Sequence, residues 1–147
     1  MKQKITPFLW ATSDAKEMAD YYLSIFSDGK IVEQNGFIFI LEIAGQQLGI
    51  LNGGPHHIQF DDSISLMIDC EDQQEVDFYW EKFTANGGQE SMCGWCKDKY
   101  GVSWQVVPRG LKELLSNPDR EKAQKATQAM LKMQKIDLKK MEEAASS

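Results

Sequence analysis

Apolar residues recur at helical spacing in the segment that follows Asp14. Met18, Tyr22 and Ile25 are three or four residues apart, with mostly polar residues between them, and this spacing is typical of one buried helix face. Asp14 followed by Glu17 is a pair often found at helix starts, where side-chain oxygens accept from the free backbone N–H groups. The segment is therefore predicted to be a short amphipathic helix.

Alternating apolar and polar residues around this helix predict strands. They are placed at residues 4–11 before the helix and at about 30–35, 37–43 and 47–52 after it. Ala44-Gly45 is the predicted hairpin turn between the last two strands. The resulting order is β-α-β-β-β.

The same pattern repeats with a shift of 58 positions. Asp14 falls on Asp72, and Phe8-Leu9-Trp10 falls on Leu66-Met67-Ile68. A duplication of this kind makes two copies of one supersecondary unit, which bury their apolar faces against each other or against a partner chain. The second copy is predicted to have a strand at 63–70, a helix at 72–85 and strands at about 90–96 and 102–108. A counterpart of strand 30–35 is not clear.

These patterns predict an α+β fold. One domain spans residues 1–110 and consists of two βαβββ half-modules, 4–57 and 63–108. Asp14 with Glu17, and Asp72 with Glu75, are interpreted as helix caps and not as paired catalytic carboxylates, because both pairs open a predicted helix.

Residues 111–147 are predicted to form a helical extension with one long helix over 118–143. Pro118 suits the first helical position, and a stripe of small and Met side chains follows that must be covered. The extension carries 8 basic and 6 acidic residues, whereas residues 1–110 carry 8 basic and 16 acidic residues. Opposite charge favours docking, either on its own chain or on a partner copy. The stripe consists of Ala123, Ala126, Met130 and Met133.

Composition excludes several classes of function. The net charge of −6 disfavours nucleic-acid binding, which requires clustered Lys and Arg. No apolar run is long enough for a membrane span, and the first residues show no signal-peptide pattern. Three cysteines without a disulfide spacing indicate a reducing compartment, so the protein is expected in the cytoplasm.

Four stretches of the chain resemble the PhnB-like family, also known as 3-demethylubiquinone-9 3-methyltransferase-like. This family belongs to the vicinal-oxygen-chelate superfamily, together with glyoxalase I and the fosfomycin and bleomycin resistance proteins. The resemblance implies that the modules form the curled sheet of the glyoxalase/bleomycin-resistance type around a cavity, usually completed in a homodimer. The stretches are KITPFLWATSDAKEMADYYLSIF (4–26), LNGGPHH (51–57), CGWCKDKYGVSWQVVP (93–108) and LLSNPDREKAQKATQAMLKMQKIDL (114–138).

The resemblance also implies four inward positions that hold a divalent metal in enzymes of this superfamily, typically through His and Glu. Counted along the repeat, they fall on Pro7, Gly49, Ser65 and Gln105. None of the four has a carboxylate or imidazole, the donors that a divalent ion needs to offset its dehydration. We therefore expect no metal and no other cofactor.

Further cavity residues follow from strand alternation. Met67 and Asp69 share a face with Ser65, so all three are candidates to line the cavity. If Pro7 points into the cavity, Phe8 and Trp10 on its strand point into the core. Trp95 and Tyr100, beside a predicted turn, are the aromatic residues that we expect to contact a ligand.

The two histidines and the Cys-x-x-Cys motif are weaker candidates. His56 and His57 follow a Gly-Gly-Pro turn and are expected at the cavity mouth or in solvent, with a ligand contact left open. Cys93 and Cys96 precede a turn and a strand. A redox pair of this type requires a helix N-terminus to lower the pKa of its first thiol, and zinc requires two further ligands. The motif is thus interpreted as inert.

Two functions remain. The first is a metal-independent module that binds a small molecule in the cavity, as bleomycin resistance proteins do by sequestering their ligand. The second is an enzyme acting on a small organic molecule, as a lyase, a dioxygenase or, as the family label suggests, a methyltransferase. The chain has no strand–GxGxxG–helix unit for S-adenosylmethionine, which favours the binding module.

Overall fold

The computed structural model describes residues 3–147, which divide into two compact units. The first unit ends at Ile58, and the second runs from Gln59 to Ser147. The first unit thus corresponds to the predicted half-module 4–57, whereas the second joins half-module 63–108 to the extension. Each unit has its own four-stranded sheet with one helix packed on one face.

In the first unit the strands are ordered β1-β4-β3-β2, with β1 parallel to β4 and the other pairs antiparallel. Asp14 caps the helix by accepting from the backbone N–H groups of Lys16 and Glu17, at 2.9 and 3.3 Å. The predicted helix start is therefore confirmed. The elements are β1 (Phe8–Ala11), α1 (Ala15–Ile25), β2 (Lys30–Gln34), β3 (Ile38–Ile43) and β4 (Gln46–Asn52).

The second unit repeats this topology, with the strand order β5-β8-β7-β6. Asp72 caps its helix through the N–H of Glu75 at 2.9 Å. The strand that the sequence did not reveal is β6, only two residues long, so the βαβββ order is complete and the α+β fold is confirmed. The elements are β5 (Leu66–Cys70), α2 (Gln73–Thr84), β6 (Gln89–Glu90), β7 (Trp95–Lys97) and β8 (Ser103–Pro108).

The connection from the first strand to the helix is one residue shorter in the second unit. Two residues, Thr12 and Ser13, separate Ala11 from the helix cap in the first unit, whereas Glu71 alone follows β5. Side chains alternate between the two faces along a strand. The difference of one residue therefore changes which residues of β1 and β5 lie on equivalent faces of their sheets.

Burial shows the change directly. Leu9 and Ala11 face α1 and are buried, and in the second unit Ile68 and Cys70 are buried. The correspondence between the first strands is therefore a shift of 59 residues, not 58. A uniform shift of 58 pairs residues on opposite faces of the sheet.

The extension is helical, but the predicted single helix over 118–143 is wrong. The helices are α3 (Leu111–Leu115), α4 (Arg120–Met130) and α5 (Leu138–Ser146). Pro118, predicted at the first helical position, precedes α4, which Asp119 caps. Asp137 caps the additional helix α5 through the N–H of Lys140. The chain turns back because this arrangement buries apolar side chains from all three helices in one cluster. Its buried members are Leu111, Ala126, Ile136, Met141 and Ala145.

Of the predicted stripe on the extension, Ala126 is fully buried, and Met130 and Met133 are partly buried against the cluster. No helix within residues 3–147 is long and apolar enough to span a bilayer.

Candidate functional site

The helix-free face of the second sheet, turned away from α2, brings together several of the predicted cavity residues. Met67 on β5 lies opposite Gln105 on β8, and Gln105 lies opposite Trp95 on β7. These three residues therefore form a continuous row across the sheet, here called the ligand row. Gln105 Nε2 donates to Ser65 Oγ at 2.9 Å, which adds Ser65 to the same face.

Packing on the opposite face explains why Gln105 belongs to the ligand row. Its neighbours Trp104 and Val106 are buried, and Trp104 stacks on Phe83 of α2 with 4.2 Å between ring centroids. Alternation then turns Gln105 away from the helix. Met67 is 62 % exposed on this face, so a flexible thioether and an amide are both accessible from the helix-free side.

Asp69 lies further along β5 on the same face and is solvated. Its Oδ2 is 3.6 Å from Arg109 Nε, and Arg109 also lies 3.9 Å from Glu71 Oε1. All three side chains are more than half exposed. Exposed ion pairs of this kind contribute little to stability. Asp69 is therefore a solvated acid at the end of β5 and not a buried one.

Tyr100 lies in the turn between β7 and β8, which a buried carboxylate organises. Asp98 is only 2 % exposed and accepts from the N–H groups of Tyr100 and Val102, at 2.9 and 3.1 Å, and from Trp104 Nε1 at 3.0 Å. Sequence reasoning missed Asp98. A usable signal was present, since an Asp three residues before a turn glycine is well placed to accept N–H groups, and a buried indole needs an acceptor.

On the helix-free face of the first sheet, Phe8 fills the space above Gly49. The two residues lie opposite each other on β1 and β4, and a Cβ added to Gly49 would lie 2.5 Å from Phe8 Cζ. Pro7 precedes β1, in alternation with buried Leu9, and its carbonyl accepts from Gly49 N–H at 2.8 Å. Phe8 was expected in the core only if Pro7 faced the cavity. The Phe8 ring is instead 48 % exposed, because Leu9 takes the helix-facing position.

Trp10 lies on the same face as Phe8 and contacts a predicted cavity-mouth residue. Its ring meets His56 edge to face with 5.5 Å between centroids, and its Nε1 donates to the carbonyl of Gly54 at 3.0 Å. Gly53 is essential for this placement, since an added Cβ would lie 2.2 Å from Trp10 Cε2. His57 is exposed.

The four positions implied for a superfamily metal do not form a donor set for a divalent ion. The first unit offers a proline and a glycine beneath an aromatic ring, and the second offers a serine hydroxyl hydrogen-bonded to an amide. Within residues 3–147, no three His, Cys, Asp or Glu side chains are grouped so that they could hold a metal ion. These residues do not fit the metal that the superfamily implies.

The thiols differ in their surroundings. Burial raises the pKa of both Cys70 and Cys96 to about 12, so both are neutral thiols, and weak nucleophiles, near pH 7. Cys93 is partly exposed and precedes β7, without a helix N-terminus beside it. The helix that a redox Cys-x-x-Cys motif requires is therefore replaced here by a strand.

Comparisons with known proteins agree with this topology. The family model described as 3-demethylubiquinone-9 3-methyltransferase matches residues 3–107. The PhnB protein from Bacillus cereus is 29 % identical, with a TM-score of 0.65 over 72 % of this chain and 99 % of its own. The search of curated proteins finds no match.

Two more distant structures share the fold. The fosfomycin resistance protein FosX from Listeria monocytogenes, solved with Mn(II) and sulfate, is 16 % identical, with a TM-score of 0.58 over 78 % of this chain and 96 % of its own. A glyoxalase/bleomycin resistance protein from Albidiferax ferrireducens is 17 % identical, with a TM-score of 0.53 over 71 % and 96 %. The chain belongs to the 3-demethylubiquinone-9 3-methyltransferase family.

Proposed function

We propose that this protein is a binding module for a small organic molecule and that it binds its ligand without a metal ion. The donor chemistry of the four implied metal positions carries this proposal. A proline, a glycine covered by Phe8, and a Ser65–Gln105 pair offer no carboxylate or imidazole, and a divalent ion bound there would not regain its hydration energy.

The ligand row supports a ligand with an apolar or aromatic body and one polar group. Trp95 offers a flat apolar surface, and Met67 adapts its shape to what it contacts. Between them, the Gln105 amide carries both a donor and an acceptor, and its hydrogen bond to Ser65 holds the amide in one orientation. The row can thus bury an apolar body while one central amide orients it.

The proposal extends to assembly and location. We place the ligand-binding form in a homodimer, as the resemblance to the superfamily implies, and in the cytoplasm, because the three cysteines are free thiols of the kind that a reducing compartment preserves. An enzyme acting on the same class of molecule is the competing function.

Native mass spectrometry tests metal independence and ligand binding together, on protein purified without chelator or added metal. The expected spectrum shows a dimer, no divalent ion and a co-purified organic mass that dissociates on activation. One divalent ion per chain would contradict metal-free binding and favour the competing enzyme.

Gln105→Met tests the ligand row itself. Binding of 8-anilinonaphthalene-1-sulfonate, an aromatic sulfonate whose fluorescence reports binding, is expected to weaken about 5- to 10-fold, the usual loss when one orienting hydrogen bond is removed. Gln124→Met, on the exposed side of α4, is the matched control and should leave the affinity unchanged. If Gln105→Met and Gln124→Met bind the probe equally well, the probe binds outside the ligand row.

A further inference from the structure

The turn that leads into Trp95 has an unusual backbone. Cys93 and the following Gly94 are both left-handed, with φ of 59° and 84°. For a residue with a side chain, such as Cys93, this conformation is strained, because the Cβ atom lies too close to the following carbonyl oxygen. It persists only where the surrounding structure holds it, so the contacts of this turn show what determines the position of Trp95.

The extension supplies those contacts. The N–H of Cys93 donates to the carbonyl of Met133, and the N–H of Gly94 donates to that of Gln134, both at 2.8 Å. On the other side, the Gly94 carbonyl accepts from the N–H of Val106 on β8 at 2.8 Å. The turn is thus held between the sheet and residues 133–134.

Glycine is also the only residue type that fits at position 94 without strain. Besides its positive φ, a Cβ at Gly94 would lie 3.0 Å from both Ile136 Cγ1 and the carbonyl oxygen of Val106. Ile136 is completely buried in the extension's cluster, so it has little room to move. The turn and the extension are therefore packed against each other as well as hydrogen-bonded.

The segment 133–136, here called the clamp, is itself anchored to α2. The Gln73 side chain donates from Nε2 to the carbonyl of Ile136 at 2.8 Å and accepts at Oε1 from the N–H of Leu138 at 2.9 Å. Lys135 Nζ lies 2.8 Å from Asp77 Oδ1, and the hydrogen bond from Lys135 lowers the pKa of Asp77. Two side chains of one helix thus fix the clamp.

We infer that the clamp positions Trp95 in the ligand row, which makes the C-terminal extension a functional part of the ligand site. The extension follows residues 3–107, where the family model matches. It therefore adds a determinant of ligand geometry that lies beyond the residues matched by the family model. The role of Trp95 as a ligand contact rests on the proposed function, whereas the positioning of Trp95 does not.

The positioning is tested by ¹⁹F NMR on protein labelled with 5-fluorotryptophan. The four tryptophan signals are assigned with single Trp→Phe variants. Gln73→Met removes the side-chain hydrogen bonds to Ile136 in the clamp and to Leu138 just after it. It is expected to shift or broaden the Trp95 signal, while the Trp10 signal, from the first unit, stays in place. Gln74→Met, at the exposed neighbouring position, is the matched control and should leave all four signals unchanged.

Ile136→Ala is a second route to the same result, and Ile136→Val should retain the wild-type Trp95 signal because most of the packing is kept. If Ile136→Ala does not fold, Gln73→Met decides alone, since it changes a partly exposed side chain. An unchanged Trp95 signal in folded Gln73→Met overturns the inference.

Binding of 8-anilinonaphthalene-1-sulfonate separates this inference from the proposed function. If both hold, Trp95→Phe and Gln73→Met each weaken probe binding several-fold, and Gln74→Met does not. Unchanged probe binding by Trp95→Phe would overturn the role of the ligand row in binding. The NMR result would still decide whether the clamp positions Trp95. If Trp95→Phe weakens probe binding and Gln73→Met leaves it unchanged, the clamp has no role in the ligand site.

Discussion

At the scale of single residues, two glycines shape the helix-free face of the first sheet by leaving space for aromatic rings. The Phe8 ring over Gly49 is partly exposed, and its outer atoms can move aside if a methyl group is added. The Trp10 ring over Gly53 is held by its hydrogen bond to the carbonyl of Gly54. The two glycines therefore differ in how much a substitution should cost.

Gly53→Ala is expected to lower the free energy of unfolding by about 1–3 kcal/mol, because the added methyl forces Trp10 away from its hydrogen bond. Gly36→Ala is the control, since an added Cβ there meets nothing within 4 Å; it should be neutral or slightly stabilising. Urea unfolding of both variants checks this. Equal stability of the two would mean that Trp10 is not confined by Gly53.

The buried thiols make the protein sensitive to alkali. Burial raises the pKa of Cys70 and Cys96 to about 12 in the folded state, against 9.0 for an unperturbed thiol. Between those values the unfolded chain releases the two protons and the folded chain keeps them. Stability is thus fully present below about pH 9 and falls as the pH rises towards 12.

Urea unfolding at pH 8 and pH 10.5 measures this loss. The double variant Cys70→Ala, Cys96→Ala should show a smaller decrease between the two pH values than wild type, whereas Cys93→Ser should behave as wild type. A decrease of the same size in the double variant would show that other groups cause it.

At the scale of elements, the order of strands and helices in both units could be predicted, since helical spacing and strand alternation are local properties of the sequence. The helix break at residues 131–137 could not. Its cause is long-range: Ile136 and Met141 become buried only when α5 folds back against α4. The sequence around Asp137 offers a helix cap, but only tertiary packing selects it over a continuous helix.

Met141→Ala tests whether this folded-back arrangement stabilises the second unit. Met141 is completely buried, so its truncation is expected to cost about 2–5 kcal/mol. Leu131→Ala, at a position 57 % exposed between α4 and α5, should change stability by no more than about 0.5 kcal/mol. Thermal unfolding followed by circular dichroism compares them, and similar melting temperatures would contradict the packing role of α5.

At the scale of the whole molecule, removal of metal is expected to change neither assembly nor stability. Light scattering should give about twice the chain mass of 16.7 kDa, with or without EDTA, because the proposed dimer and ligand site need no divalent ion. The melting temperature should also be the same in both buffers. Dissociation or a lower melting temperature in EDTA would indicate a structural metal.

The candidate site was predictable in part. Met67 was assigned to the face of Ser65 from alternation, Ser65 and Gln105 were implied by the family resemblance, and Trp95 was chosen for its place beside a turn. The structure places these four residues on one face of the second sheet. The positions of Pro7 and Phe8 could not be obtained in this way, because one residue of difference in a loop exchanges the two faces of a strand. The contribution of residues 133–136 depends on contacts that no local pattern records.

The shorter connection before α2 also bears on how the halves of this chain descend from one ancestor. Loops accept single-residue insertions and deletions far more readily than strands do, so duplicated halves drift apart first at such places. An ungapped comparison then matches residues on opposite faces of the two sheets, as Pro7 was matched with Ser65. One gap at Thr12 or Ser13 restores the correspondence, and residue roles transferred between related half-modules are reliable only after such gaps have been placed from burial.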